Sequence, residues 1–322
     1  MIEPGPFQPL RAWPVQGVRG TFRHRQTDFQ VEECLQPGPE SGEHLWLWLE
    51  KCGQNTAWVG SELARWAGVQ PRQVGWAGLK DRHAVTRQWF SIHLPGRPAP
   101  AHPPDIAGVR VLGQCRQPVK LRPGMHAGNR FTLCLRHLRG GRVELEQRLQ
   151  RLRDEGMPNA YGRQRFGHQG HNLWHLQRRF ERGRPGKRDG RMISTARAWL
   201  FNRQLADALA DGNWQAGTGW LWGRFHRDHR FSQGELRLRA QHPQLCRWLE
   251  SLGMNAEPRP FRVLPGQMRW TWLQEDSLQL DFRLPPGAYA TVLLDQLGEF
   301  RDARAGTGPA DDRPTGQDDG RG

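Results

Sequence analysis

A lone carboxylate sits among cations in the segment Ala77-Gly78-Leu79-Lys80-Asp81-Arg82-His83-Ala84-Val85-Thr86-Arg87-Gln88. Cations at such short range favour the ionised carboxylate, which equips Asp81 to act as a nucleophile or general base near neutral pH. The same residue types also build an ordinary solvated turn, and the segment alone leaves both readings open. No cluster of carboxylates surrounds Asp81, as a metal-dependent nuclease would want for holding its cation. The 13 histidines and five cysteines (Cys34, Cys52, Cys115, Cys134, Cys246) fall into neither H-E-x-x-H nor C-x-x-C spacing. The sequence therefore predicts no metal site and, with an odd cysteine count, no disulfide framework.

Catalytic groups concentrate in loops at the ends of regular elements, and the flanking pattern puts Asp81 between a helix and a strand. Phe29-Gln30-Val31-Glu32 and Leu45-Trp46-Leu47-Trp48-Leu49 read as strands, the second apolar on both faces and so deep in a sheet. Asn55-Thr56 is placed to cap a helix with apolar positions Val59, Leu63, Ala64 and Ala67, ended by Gly68. Gln88-Trp89-Phe90-Ser91-Ile92 and Phe131, Leu133, Leu135 return to strand alternation, with a Pro-rich surface loop from Pro95 to Pro104 between them. Leu145, Leu149 and Leu152 stripe a helix that stops at Gly156. Residues 175–192 read as a basic loop, and Ser194 as the cap of a helix with Trp199, Leu200, Ala206 and Leu209 facing inward. Met268–Trp272 and Leu278–Leu284 form a hairpin, with Trp46, Trp48, Trp270 and Trp272 at strand spacing as core. Beyond Asp302 almost nothing apolar remains, which predicts a disordered tail. Strands and helices mix without a regular βαβ rhythm, so the expected class is α+β.

The 322 residues carry 47 Lys and Arg against 32 Asp and Glu, a formal net charge of +15, and the pI is about 11.0. A polyanionic partner is the first inference. A Pro-rich start without an apolar stretch, and no run of roughly 20 apolar residues elsewhere, predict a cytoplasmic protein outside the membrane. Charge alone fits a non-catalytic RNA-binding protein as well as an enzyme. Asp81 tells them apart, because a pure binder has no use for an anion in the middle of a basic segment.

The segment Gly78-Leu79-Lys80-Asp81-Arg82-His83-Ala84-Val85-Thr86-Arg87-Gln88-Trp89 resembles the signature of pseudouridine synthases of the TruD family. Further matching stretches follow the family's order: Thr27–Glu33, Gly42-Glu43-His44 with Asn55-Thr56, Gly128–Leu133, Pro158–Gly167 and Leu284–Thr291. Together they carry the resemblance from about residue 17 to residue 300.

The resemblance implies isomerisation of the uridine at position 13 of tRNA to pseudouridine. The base leaves C1′ through N1, turns and rejoins through C5, with no cofactor. It makes Asp81 the catalytic aspartate, attacking ribose or base or abstracting a sugar proton. Phe29, Asn129 and Tyr289 fall at substrate positions, and Phe131 at that of the aromatic stacked on the target base. Arg23 falls where a lysine pairs with the carboxylate, a planar fork replacing a point charge. Lys80 points away from Asp81 along an extended chain and reads as an RNA contact or a support behind the site. Tyr289 replaces the usual Phe, and Ala160-Tyr161 the common Tyr-Phe. As bare residues, Phe29 and Phe131 more often belong to a core, Tyr289 to a half-buried turn, and Asn129 to a loop where it serves its own backbone.

The implied fold is a pseudouridine-synthase core with a mixed or antiparallel sheet, interrupted by an inserted α/β TRUD domain. Its segments are 1–155 and 264–301 for the core, 156–263 for the insertion and 302–322 for the tail, in a monomer. Within the insertion, the arginines of 178–191 are expected to bind tRNA phosphates. Rival readings are the same fold acting on another RNA or site, and the RNA-binding protein without catalysis.

Overall fold

The computed structural model describes residues 7–15, 17–167, 170–183 and 189–304. The first half of the chain is built of β1 (Arg19–Phe22), β2 (Phe29–Glu33), β3 (His44–Cys52), α1 (Thr56–Trp66), β4 (Val74–Trp76), β5 (Val85–His93), β6 (Val109–Gln117), β7 (Asn129–Arg139) and α2 (Arg142–Glu155). A short strand, β8 (Met157–Pro158), leads to α3 (Arg163–Phe166), α4 (His171–Glu181), α5 (Gly190–Ala210), β9 (Thr218–Leu221), α6 (Gln233–Gln241) and α7 (Pro243–Ser251). The chain returns through β10 (Glu257–Pro260), β11 (Arg262–Val263), β12 (Gly266–Gln274), β13 (Ser277–Leu284), α8 (Ala290–Leu297) and β14 (Glu299–Asp302).

Ten strands form one mixed sheet along the path β12-β13-β7-β2-β5-β3-β6, with β4 added to β5, β1 to β7 and β14 to β1. Only β2–β5 and β1–β14 run parallel in it. The protein is therefore α+β. The alternation in β3 explains its central place between β5 and β6: Leu45, Leu47 and Leu49 bury against α1 and β5 in one apolar cluster. Asn55 caps α1 by accepting from the Ala57 N–H at 2.9 Å, and Gly68 follows at φ +61. Leu145, Leu149 and Leu152 bury one face of α2 under the other half of the sheet, and Gly156 ends it at φ +85.

A separate apolar cluster gathers α3 to α7 around Trp222, Phe201, Trp248 and Leu249. The chain enters and leaves this helical part through β8 and β11, which pair antiparallel with Val263 opposite Met157. Here the expected basic loop over 175–192 needs correction. Residues up to Glu181 continue α4, with Leu173 and Leu176 buried. The next helix starts at Gly190, capped by Asp189, and Ser194 lies inside it, accepting from Arg165 Nη1 at 2.8 Å. The run of arginines concealed a Leu173/Leu176/Phe180 stripe, because charged residues on the outer face of a helix leave its inner periodicity intact. Residues 184–188 lie outside the described part, as does the tail after Arg304. Asp302, where the tail was expected to begin, is the last residue of a paired strand.

Candidate active site

Asp81 lies in the turn between β4 and β5, and several backbone groups of that turn are held by side chains from neighbouring elements. Ala77 accepts from the Gly124 N–H at 2.8 Å, and Gly78 from Gln88 Nε2 at 3.0 Å. The Lys80 N–H donates to Thr56 Oγ1 at 3.0 Å, and that hydroxyl lies 3.1 Å from Gln88 Oε1. Beneath the turn the ammonium of Lys51 donates to the carbonyls of Gln54 at 2.9 Å, Asp81 at 3.3 Å and Lys80 at 3.5 Å. These bonds on both sides of Asp81 restrict where the carboxylate projects, which is what positional catalysis requires.

The Asp81 side chain is about one third exposed. One oxygen accepts the His83 N–H at 2.9 Å and the other is ion-paired with Arg23 Nη2. Arg23 is 8% exposed, lies with its guanidinium 4.1 Å over the ring of Phe29, and gives its second arm to Asp302 at 3.0 Å. The fork at position 23 thus bridges two carboxylates. Lys80, next in sequence to Asp81, turns inward to Glu33 Oε1 at 2.7 Å, with both side chains almost fully buried. An RNA phosphate does not reach it in this arrangement; its place is behind the turn.

Phe29 and Phe131 stand on neighbouring strands with ring centroids 6.3 Å apart. Both belong to the core beneath Arg23, and Phe131 stacks on Phe282 at 5.2 Å. Asn129 opens β7 opposite Glu33, and its buried Oδ1 accepts no hydrogen bond among the described residues. Tyr289 stands just before α8, accepts from Arg165 Nε at 3.2 Å and meets the ring of Tyr161. No hydrogen bond, ion pair or ring contact among the described residues joins Tyr289 to Asp81. The site residues read from the sequence therefore fall into a tight group around Asp81 and Arg23, a flanking strand pair, and a separate tyrosine at the junction with the helical part.

Sequence reasoning missed Lys51, Glu33, Thr56 and Asp302 as parts of this site. One signal was available: Lys51 continues the buried parity of Leu45, Leu47 and Leu49, and a cation on a buried parity must find partners. Burial drives the Lys51 ammonium down to about 8, against the opposing pull of the Asp81 charge. The unfolded chain holds that proton to a pH of about 10.4. Between those values the unfolded state binds more protons, so stability rises with pH; below about 8 the cost of burying the cation is fully present. Wild type should gain stability relative to Lys51→Met as pH rises through this window. Denaturant titrations of both proteins at several pH values check this, and a pH-independent difference refutes it.

The chain matches the family model for tRNA pseudouridine synthase D (TruD) over residues 9–176. It is 40% identical to a tRNA pseudouridine synthase D of Pseudomonas entomophila, with 84% of this chain and 88% of the relative covered. To the proteins of that name from Hydrogenovibrio crunogenus and Pseudomonas aeruginosa it is 37% and 41% identical, with 85% and 84% of this chain and 91% and 88% of theirs covered. A solved Methanosarcina mazei structure bearing the same family name has the same fold: TM-score 0.63 at 17% identity, over 89% of this chain and 95% of that one. The family match and the relatives define an enzyme of the pseudouridine-synthase class. The chain belongs to the tRNA pseudouridine synthase D family.

Proposed function

We propose that this protein isomerises the uridine at position 13 of tRNA to pseudouridine, with Asp81 as the catalytic carboxylate and without cofactor or metal. The observation that carries the reading is the Asp81 carboxylate itself, partly open to solvent, ion-paired with Arg23 and carried on a turn whose Lys80 and Asp81 backbone groups are bonded to Thr56 and Lys51. The reaction breaks the C1′–N1 bond and forms a C1′–C5 bond. The proton lost from C5 is matched by one gained at N1, so no electrons enter or leave. What the protein must supply is a carboxylate at C1′ or the base, and donors and acceptors that keep the detached uracil in place. Asn129 Oδ1, with its acceptor capacity unused among the described residues, suits a uracil N–H. Phe131 and Phe29 offer an apolar wall beside it.

Residues 156–263 are proposed as the inserted TRUD domain, supported by the β8–β11 pair through which the chain leaves and rejoins the sheet. No helix of the described residues is long and apolar enough to cross a membrane. A monomer acting in the cytoplasm completes the proposal. The test is carbodiimide mapping of unmodified tRNA after incubation with the protein. A new stop at position 13 supports the reading. A stop elsewhere moves the substrate site, and tight binding without any stop favours an RNA-binding protein.

The exposed arginines at the end of α4, Arg178, Arg179 and Arg182, are proposed to meet tRNA phosphates. Arg184, Lys187 and Arg188, grouped with them in the sequence, lie outside the described residues. Each phosphate contact contributes roughly 0.7–0.9 to the slope of log affinity against log salt. Replacing the three by Ser should weaken tRNA binding and lower that slope by about 2. Filter binding over a salt series measures both, and an unchanged slope rules the contact out.

A further inference from the structure

We propose that Asp302, the last residue of strand β14, is a positioning residue for the reaction: it holds one arm of the Arg23 fork so that the other is presented to Asp81. The inference rests on the reading of Asp81 as the catalytic carboxylate.

Arg23 Nη1 donates to Asp302 Oδ2 at 3.0 Å while Nη2 pairs with Asp81 Oδ2. Two different nitrogens of one guanidinium thus serve two carboxylates, and the Arg23 side chain is only 10% exposed. A free Arg–carboxylate pair favours the bidentate arrangement, with two parallel bonds to a single carboxylate. That arrangement would occupy both oxygens of Asp81 and turn the catalytic group into a structural ion pair. By claiming Nη1, Asp302 rules out the arrangement in which both terminal arms serve Asp81; Arg23 Nε has no partner among the described residues, and Asp81 Oδ1 accepts the His83 N–H.

Asp302 is itself well fixed for this task. Strand β14 runs parallel to β1 with Asp302 opposite Phe22, the neighbour of Arg23. The Ala303 N–H donates to the Phe22 carbonyl at 3.0 Å, and Asp302 Oδ1 accepts from the Arg304 N–H at 3.1 Å. Arg23 has φ +58, a left-handed conformation uncommon for a side chain of this size. The stack on Phe29 and the two carboxylates hold it there. The arrangement also gives the arginine a purpose that a lysine could not serve, because an ammonium at position 23 is a point charge without two separately aimed arms. Asp302 and an arginine at position 23 therefore act as a unit, and strand β14 reaches into the active site.

The test is a double-mutant cycle on the full chain, measuring kcat and KM for pseudouridine formation in tRNA. Asp302→Asn should lower kcat about tenfold with KM within roughly twofold of wild type, since small misplacements of a reacting group cost up to a hundredfold. In an Arg23→Lys background the same Asp302→Asn change should cost nothing further. Full activity of Asp302→Asn overturns the proposal, and so does an equal loss in both backgrounds, which would mark a purely structural strand end. If Asp302→Asn does not fold, Asp302→Glu keeps the charge and reads the same cycle. Asp81→Asn, assayed alongside, keeps the two questions apart. An active Asp81→Asn removes the reading of the catalytic residue, whereas an inactive one beside a fully active Asp302→Asn removes only the role of Asp302.

Discussion

Asp81→Asn should leave folding and tRNA affinity intact and abolish pseudouridine formation, with kcat below about 10⁻³ of wild type, the order of loss seen when an acting nucleophile is removed. The amide is isosteric with the carboxylate. Its carbonyl oxygen can still accept the His83 N–H that Asp81 Oδ1 accepts now. The turn does not depend on the carboxylate for its shape, because Thr56, Lys51, Gln88 and Gly124 bind its backbone. What disappears is the negative charge and the lone pair that attacks or takes a proton, the part specific to the transition state. Arg23 keeps an anionic partner in Asp302, so the substitution does not strand a buried guanidinium. Carbodiimide mapping, with binding measured in parallel, checks the result. Activity within tenfold of wild type would remove Asp81 from the chemistry, whereas loss of binding together with turnover would show that the variant disturbs more than the reacting group.

The site was legible in the sequence where a residue's role is tied to a local pattern. Asp81 and Arg23 stand out through the motif and its companions, and the structure brings them into direct contact although 58 positions separate them. The cap at Asn55, the stripe of α2 and the β12–β13 hairpin follow from periodicity and turn chemistry, which act over a few residues. The residues behind the site are of another kind. Glu33 has no local feature that marks it as the partner of Lys80, 47 positions away, and Asp302 sits at the edge of a stretch that reads as tail. Strand register across a ten-stranded sheet decides such partnerships, and register is a non-local property. Helix α4 was hidden for the opposite reason: a local signal, the arginine run, outweighed a short apolar stripe beneath it.

The buried pair behind the catalytic turn offers the largest effect on stability. Glu33→Ala should destabilise the protein by about 3–5 kcal/mol, the usual cost of leaving one charge of a buried pair uncompensated. Both side chains are almost wholly inaccessible, Lys80 at 3% and Glu33 at 0%, so solvent cannot take over the lost interaction. Glu33 Oε2 also accepts the Trp89 N–H at 3.2 Å, a backbone donor just past the point where the β2–β5 ladder ends at Glu32 and Arg87. The truncation therefore strands a cation and a peptide N–H together. At roughly 2–4 °C per kcal/mol for a chain of this general size, the melting temperature should fall by on the order of 10 °C. Glu33→Leu combined with Lys80→Met should recover much of the loss, because an apolar pair of similar volume carries no desolvation cost, though the Trp89 N–H stays unpaired. Calorimetry on the three proteins decides the matter: a drop below about 1 kcal/mol in Glu33→Ala would mean that water reaches the pair. Because Lys80 directly precedes Asp81, the single variant should also lose kcat at temperatures where it is still folded. The double variant, with the Lys80 backbone still bonded to Thr56, should keep more of it.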